Sequence, residues 1–262
     1  MKIKIDLIHV NLKTHKKMAA KFETGHAKNV ANFKKLMSAC TEFGTTYNPS
    51  NSLLTMTSLK TIHAQSKVSL NKVSKTKSVH DDFEGERGRL FKNYKPLATQ
   101  IMGAVKSSGA PQSVIDDAIT INRKMQGRRA PRTKATTNPD GTPINRNSVS
   151  QQSFDMRIEH LDKMIELLDV EPKYNPNEVQ LSVEGLRGYH DELETINEKV
   201  IETYGYYNTA MTERNRKLYI PETGLIAIAQ SVKNYVKSIY KTNTPEYKTI
   251  SKLAFKILVE IK

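Results

Sequence analysis

Tryptophan is absent from these 262 residues, cysteine occurs once, and no apolar run approaches the ~20 residues that span a bilayer. Each shortage excludes something. With Cys40 alone no intrachain disulfide can form, and the chain reads as one made for a reducing compartment. Asp6 and His9 interrupt the one apolar stretch near the start, so neither a secretory signal nor a membrane protein is indicated. A cytoplasmic location is expected. Hydrophobic residues reach only 37%, and mean hydropathy is −0.56. So little apolar material suits slender helical bundles, in which each helix buries a single stripe. Catalytic signatures are missing too: there is no Gly-rich phosphate loop, no nucleophile elbow and no His-Glu-x-x-His. A non-enzymatic protein is expected, with no catalytic residue, no metal and no cofactor.

What is present is a stretch that occurs twice. Tyr47-Asn48-Pro49 returns 127 positions later as Tyr174-Asn175-Pro176. At the same offset Leu54 matches Leu181, Leu59 matches Leu186, His63 matches His190 and Val73 matches Val200. Glu86-Arg87 matches Glu213-Arg214, Ile101 matches Ile228, and Val105-Lys106 matches Val232-Lys233. Matches in one register, mostly apolar and at helical spacings, mark a duplication. The spacing predicts an all-α chain of two tandem antiparallel four-helix repeats with long second helices, joined by a basic linker. The expected boundaries are a basic N-terminal arm over 1–25, repeat 1 over 26–126, the linker over 127–150, and repeat 2 over 151–262.

Within each repeat, Asn-Pro predicts the start of the long helix, with Asn175 as cap, Pro176 at its first position and Glu178 at its third. That helix should run for roughly forty residues, about 60 Å at ~1.5 Å per residue, kinked or split near Gly85, Gly88 and Gly205. Pro96 and Pro221 predict restarts. The last stripes are Val114, Ile115, Ala118, Ile119 and Ile121, then Ile250, Leu253, Ala254, Ile257 and Leu258.

Charge separates the copies. Residues 1–122 carry 19 Lys/Arg against 9 Asp/Glu, residues 123–147 carry 7 against 1, and residues 148–262 carry 15 against 17. A basic surface demanded by the fold would appear in both repeats. Its confinement to the first and the linker points to a polyanionic partner or to docking between repeats, against the plainer reading of a solubilising surface. Lys60, Lys67 and Lys75 fall on one broad helix face that can follow a phosphate backbone, and Arg123, Lys124, Arg128, Arg129, Arg132 and Lys134 continue the charge into the linker. No nucleic-acid-binding motif accompanies them, and nine of the eleven tyrosines lie in the other repeat, so phosphate contacts without base reading are expected.

Several groups imitate sites. Glu23-x-x-His26 is the sole Glu-x-x-His tetrapeptide, too little for a bundle metal centre. His63 and His190 read as equivalent structural histidines, for instance bonding across a bundle. His80-Asp81-Asp82 and His190-Asp191-Glu192 read as solvated faces, because adjacent helical residues diverge. Cys40 reads as a small core residue, and the two Glu-Arg pairs as salt bridges within each bundle.

Ser148-Val149-Ser150-Gln151-Gln152-Ser153-Phe154-Asp155 and Leu161-Asp162-Lys163-Met164, taken with Lys95-Pro96-Leu97-Ala98 and Asn122-Arg123-Lys124-Met125-Gln126-Gly127, resemble an uncharacterised Bacteroidota family of similar length with a basic linker. The resemblance covers most of residues 30–218. It implies a helical tandem-repeat protein of a bacterial cell and brings no activity with it. Two functions are therefore expected as rivals. One is an interaction protein that binds nucleic acid, a ribonucleoprotein or another polyanion through repeat 1 and the linker. The other is a structural protein that self-associates or binds a protein partner through repeat contacts.

Overall fold

The structure, a computed structural model, describes residues 25–128 and 152–260, so the expected arm and most of the linker lie outside the described residues. Among those described, every regular element is helical. In chain order they are α1 (25–42), α2 (Met56–Leu90), α3 (Tyr94–Ser107), α4 (Gln112–Met125), α5 (Phe154–Asp169), α6 (Val183–Tyr219), α7 (Leu225–Ile239) and α8 (Pro245–Ser251). Short 3₁₀ turns at Ser52–Leu54 and Val179–Leu181 precede the two long helices. Those helices continue without a split through Gly85, Gly88 and Gly205, where a kink or split was expected.

That continuity changes how the repeats assemble. The chain divides into unit 1, residues up to Ser78 and from Gly205 onward, and unit 2, Val79–Tyr204. Neither unit is a sequence repeat. Each joins the first half of one repeat to the second half of the other, so the expected pair of self-contained four-helix repeats is replaced by two mixed cores. In unit 1, Phe33, Leu36 and Cys40 of α1 and Leu59 of α2 pack with Leu218 of α6 and Ile228, Val232 and Val236 of α7. In unit 2, Ile101 and Val105 of α3 and Met125 of α4 pack with Leu161, Met164 and Leu168 of α5 and Leu186 and Leu193 of α6. The physical reason is the absence of a turn: an unbroken helix delivers its apolar stripe to whatever lies along its length. Each fully buried leucine or isoleucine in these cores is worth roughly 1.5–3 kcal/mol against exposure.

The long helices run antiparallel inside each unit. In unit 1, Lys72 pairs with Glu213 at 2.6 Å, Lys217 Nζ donates to Gln65 Oε1 at 3.1 Å, and Val73 packs on Tyr207 and Ala210. In unit 2, His80 bonds Thr203 at 3.3 Å, Arg87 donates to Asn197 at 2.9 Å, and Tyr189 Oη donates to the Leu90 carbonyl at 2.9 Å.

The Tyr-Asn-Pro stretch keeps its geometry in both copies, though not as a helix start. Tyr47 Oη donates to the Leu54 carbonyl at 2.7 Å, and Tyr174 Oη to the Leu181 carbonyl at 2.8 Å. The caps are instead Thr55, whose Oγ1 accepts from Ser58 N at 3.3 Å, and Ser182, whose Oγ accepts from Gly185 N at 3.1 Å. Asn-Pro was misread because a 3₁₀ turn intervenes. Pro96 lies inside the first turns of α3, whereas Pro221 sits in a turn four residues before α7.

The last stripe also departs from expectation. α8 stops at Ser251, and residues 253–260 are not helical. Asn29 of α1 holds Lys256 from both sides, donating to its carbonyl at 2.8 Å and accepting from its N–H at 3.0 Å. Asn32 donates to the Ala254 carbonyl at 2.7 Å, and Lys233 of α7 to the Leu253 carbonyl at 2.5 Å. These side chains satisfy main-chain groups that a helix would have satisfied itself.

Candidate polyanion-binding face

Dividing the charge by unit makes the asymmetry larger than dividing it by repeat. The described residues of unit 1 hold 17 Lys/Arg against 5 Asp/Glu, net +12; those of unit 2 hold 13 against 19, net −6. The exchange of halves puts the Lys-rich start of α2 and the basic end of the chain into one unit.

Lys60, Lys67 and Lys75 are all exposed on α2 within unit 1, and no ion pair engages any of them among the described residues. Steps of seven and eight residues keep the three within about 80° of helix face. A residue that periodicity did not single out joins them: Lys34 of α1. His63, half-buried on α2, has its pKa held below the ordinary histidine value by burial first and by the charges of Lys34 and Lys67 after it. The patch thus spans two helices. Lys72, one turn away, is neutralised by Glu213.

The remaining predicted cations lie elsewhere. Arg123 and Lys124 are half-buried on α4 in unit 2, where their carbonyls accept from Arg128 N at 2.9 Å and Gln152 Nε2 at 2.8 Å. Arg128 is exposed; Arg129, Arg132 and Lys134 lie outside the described residues.

Unit 2 presents the opposite character. A cleft of about 430 Å³ between α5 and α6 is lined by Asp155, Glu159, Asp162, Glu194, Glu198 and His190, among others. His190, Asp191 and Glu194 bring ligand-capable atoms within 4.8 Å of one another, but Asp191 and Glu194 are exposed and His190 bonds its neighbour Asp191 at 3.3 Å. That arrangement is a hydrated acidic surface, and nothing buried supports it as a coordination sphere.

Several imitations resolve into structural roles. His26 is buried against Tyr219 Oη, to which it is hydrogen-bonded, and burial together with the Arg214 charge lowers its pKa to about 4. His80 is buried and bonded to Thr203, which corrects its reading as part of a solvated face. Of the two Glu-Arg pairs, expected to form salt bridges within each bundle, Glu213 does so with Lys72 in unit 1, while Arg87 lies 3.9 Å over the Phe154 ring and donates to Asn197, and Arg214 is buried and donates to Asn215. His63 and His190 do not share a cross-bundle bond either. Cys40 is a core residue as expected; burial raises its thiol pKa to about 12, which leaves it inert.

No helix among the described residues is long and apolar enough to cross a membrane. No family model, curated protein or solved structure matches the chain.

Proposed function

We propose that this is a non-enzymatic interaction protein of the cytoplasm that binds a polyanion, with nucleic acid or a ribonucleoprotein surface as the partner. The observation that carries this reading is the net +12 of the described residues of unit 1, with Lys34, Lys60, Lys67 and Lys75 exposed on adjoining helices and, among the described residues, unengaged by carboxylates. Arg123, Lys124, Arg128, Arg129, Arg132 and Lys134, of α4 and the linker, bind the same polyanion in this reading. Recognition is of phosphates, without base reading. The same proposal keeps the two 127-residue-offset copies as a duplicated helical repeat joined by a basic linker, kin to the Bacteroidota family they resemble.

Binding of this kind weakens steeply with salt, by a slope of about 0.9 per phosphate neutralised on duplex DNA. Fluorescence anisotropy with a labelled duplex across a salt series is the test. Replacing Lys60, Lys67 and Lys75 by Gln should flatten the log–log slope by about 3. An unchanged slope, or no binding at low salt, would remove the reading.

A second reading is favoured by the contrast between the acidic cleft of unit 2 and the basic charge of unit 1: copies associate head to tail, a heterologous contact that builds open assemblies. Mass photometry at low and high salt separates the two. A strict monomer in both conditions ends the second reading and leaves the first standing.

A further inference from the structure

The two units carry the same Tyr-Asn-Pro loop and surround it differently. Their frames agree bond for bond: Tyr47 N donates to the Gly44 carbonyl at 3.3 Å and Tyr174 N to the Glu171 carbonyl at 3.0 Å, and both phenols reach the leucine carbonyls already described. In unit 1 a second tyrosine completes the loop. The Asn48 N–H donates to Tyr235 Oη at 3.1 Å, and the Tyr235 ring meets Tyr47 edge-on, with centroids 5.4 Å apart at 85°.

In unit 2 that ring is missing. The register that aligns Ile101 with Ile228 and Val105 with Val232 aligns Ser108, at the end of α3, with Tyr235 of α7. Where the ring would lie there is an open cleft of about 510 Å³, lined by Gln100, Ser107, Ser108, Tyr174, Asn175 and Asn177 among others. The Asn175 N–H, counterpart of the donor that Tyr235 satisfies, meets no protein acceptor among the described residues.

We propose that this cleft binds a tyrosyl side chain of a partner polypeptide, and that unit 1 displays the bound form of the same site with Tyr235 as its built-in ligand. The chemistry is specific. A phenol in the slot regains an edge-on contact with Tyr174 and offers its oxygen to the Asn175 N–H. The cleft is of a size that holds more than one ring. Its lining is otherwise mostly polar, with Gln100, Ser107, Lys173, Asn177 and Glu178 offering donors and acceptors to the main chain on either side of a tyrosine. That favours a peptide tyrosine over a free phenol. The inference does not depend on the polyanion reading, since it uses the other unit and none of the cations assigned to the polyanion.

The test is amide NMR on the full ¹⁵N-labelled chain titrated with N-acetyl-tyrosinamide, N-acetyl-phenylalaninamide and p-cresol. The Asn175 amide should shift with the tyrosine compound, at least fivefold more tightly than with the phenylalanine compound, for loss of about 1 kcal/mol of hydrogen bond. Ser108→Tyr should abolish the response by filling the slot from within. In the mirror experiment Tyr235→Ala opens unit 1: its melting temperature should fall, and tyrosinamide should restore part of the loss and move the Asn48 amide. No shift at Asn175, or an equal shift with the phenylalanine compound, overturns the site. Equal affinity for p-cresol overturns the polypeptide source.

Discussion

Unit 1 and unit 2 bond their Tyr-Asn-Pro loops alike, cap their long helices with Thr55 and Ser182 at equivalent positions, and bury equivalent stripes on α1 and α5. They differ in what lies around that frame. Unit 1 is strongly basic, fills its loop with Tyr235, and uses Asn29 and Asn32 to hold a non-helical segment. Unit 2 is acidic, leaves its loop open, and has Arg157 and His160 where unit 1 has the two asparagines. The lesson is one of sorting. Bonds that recur in both units belong to the shared frame, and bonds found in one unit alone are where the two part company. The predictions that follow strain that division from its most severe point to its mildest.

The steepest difference within the shared frame is at the first turn of the long helices. A Cβ on Gly185 would come within 2.0 Å of the Val179 carbonyl oxygen, so the main chain of the turn must shift to admit it. The equivalent residue in unit 1 is Ser58, whose side chain donates to the Ser52 carbonyl at 2.7 Å. Gly185→Ala should therefore cost about 3 kcal/mol in urea unfolding, at the upper end of overpacking penalties. Ser58→Ala should cost about 1 kcal/mol for one hydrogen bond. Equal costs would mean that the two turns are packed alike.

Acid should act through a group that unit 2 lacks. His26 lies in register with Phe154, since α1 and α5 align at an offset of 128 that pairs Val30 with Ile158 and Phe33 with Leu161. Its pKa is lowered from 6.5 to about 4. Above pH 6.5 the ring is neutral folded or unfolded, so stability there is unaffected. Between 6.5 and 4 the unfolded chain takes up the proton and the folded one does not, so stability falls as pH falls. At pH 5 the loss is about 2 kcal/mol relative to pH 7. Chemical denaturation of His26→Phe at the two pH values should show a clearly smaller loss, with a remainder from His160, whose pKa burial also lowers. A variant as acid-sensitive as the parent would clear His26 of the role.

How much of this was legible in the residues follows from what periodicity measures. It reports which face of a helix is apolar, so the helical class and the burial of Cys40 were readable, whereas the α4 stripe was only partly so: Ala118 is buried, but Ile119 is 42% exposed and Met125 is buried in its place. It does not report which helix meets that face. Leu59 and Val232 share a core although 173 positions separate them, and only the unbroken run of α2 and α6 decides that. The basic patch was half legible for the same reason: Lys60, Lys67 and Lys75 share a helix, whereas Lys34 comes from another. The end of α8 was illegible because Asn29 and Asn32, more than 220 residues away, compete for its main chain.

The mildest test asks whether the duplication is energetic as well as geometric. Thr55 and Ser182 each accept one orphan N–H at the start of a long helix, the loss of which costs about 1 kcal/mol at a typical cap. The two sites share no partner and belong to different units. Thr55→Ala and Ser182→Ala should therefore each cost about 1 kcal/mol, and the double variant should cost their sum within ~0.5 kcal/mol, as independent sites do. Both caps also bond the carbonyl three residues back, Thr55 to Ser52 at 3.0 Å and Ser182 to Val179 at 2.8 Å, but Thr55 alone meets a further hydroxyl, Ser58 Oγ at 3.0 Å, so the unit 1 cap belongs to a larger network. Its loss should be the costlier of the pair by a few tenths of a kcal/mol. A Ser182→Ala penalty larger than that of Thr55→Ala would put the stronger cap beside the open cleft, and the contrast between a closed and an open loop would have to be sought in the helix starts rather than in Tyr235.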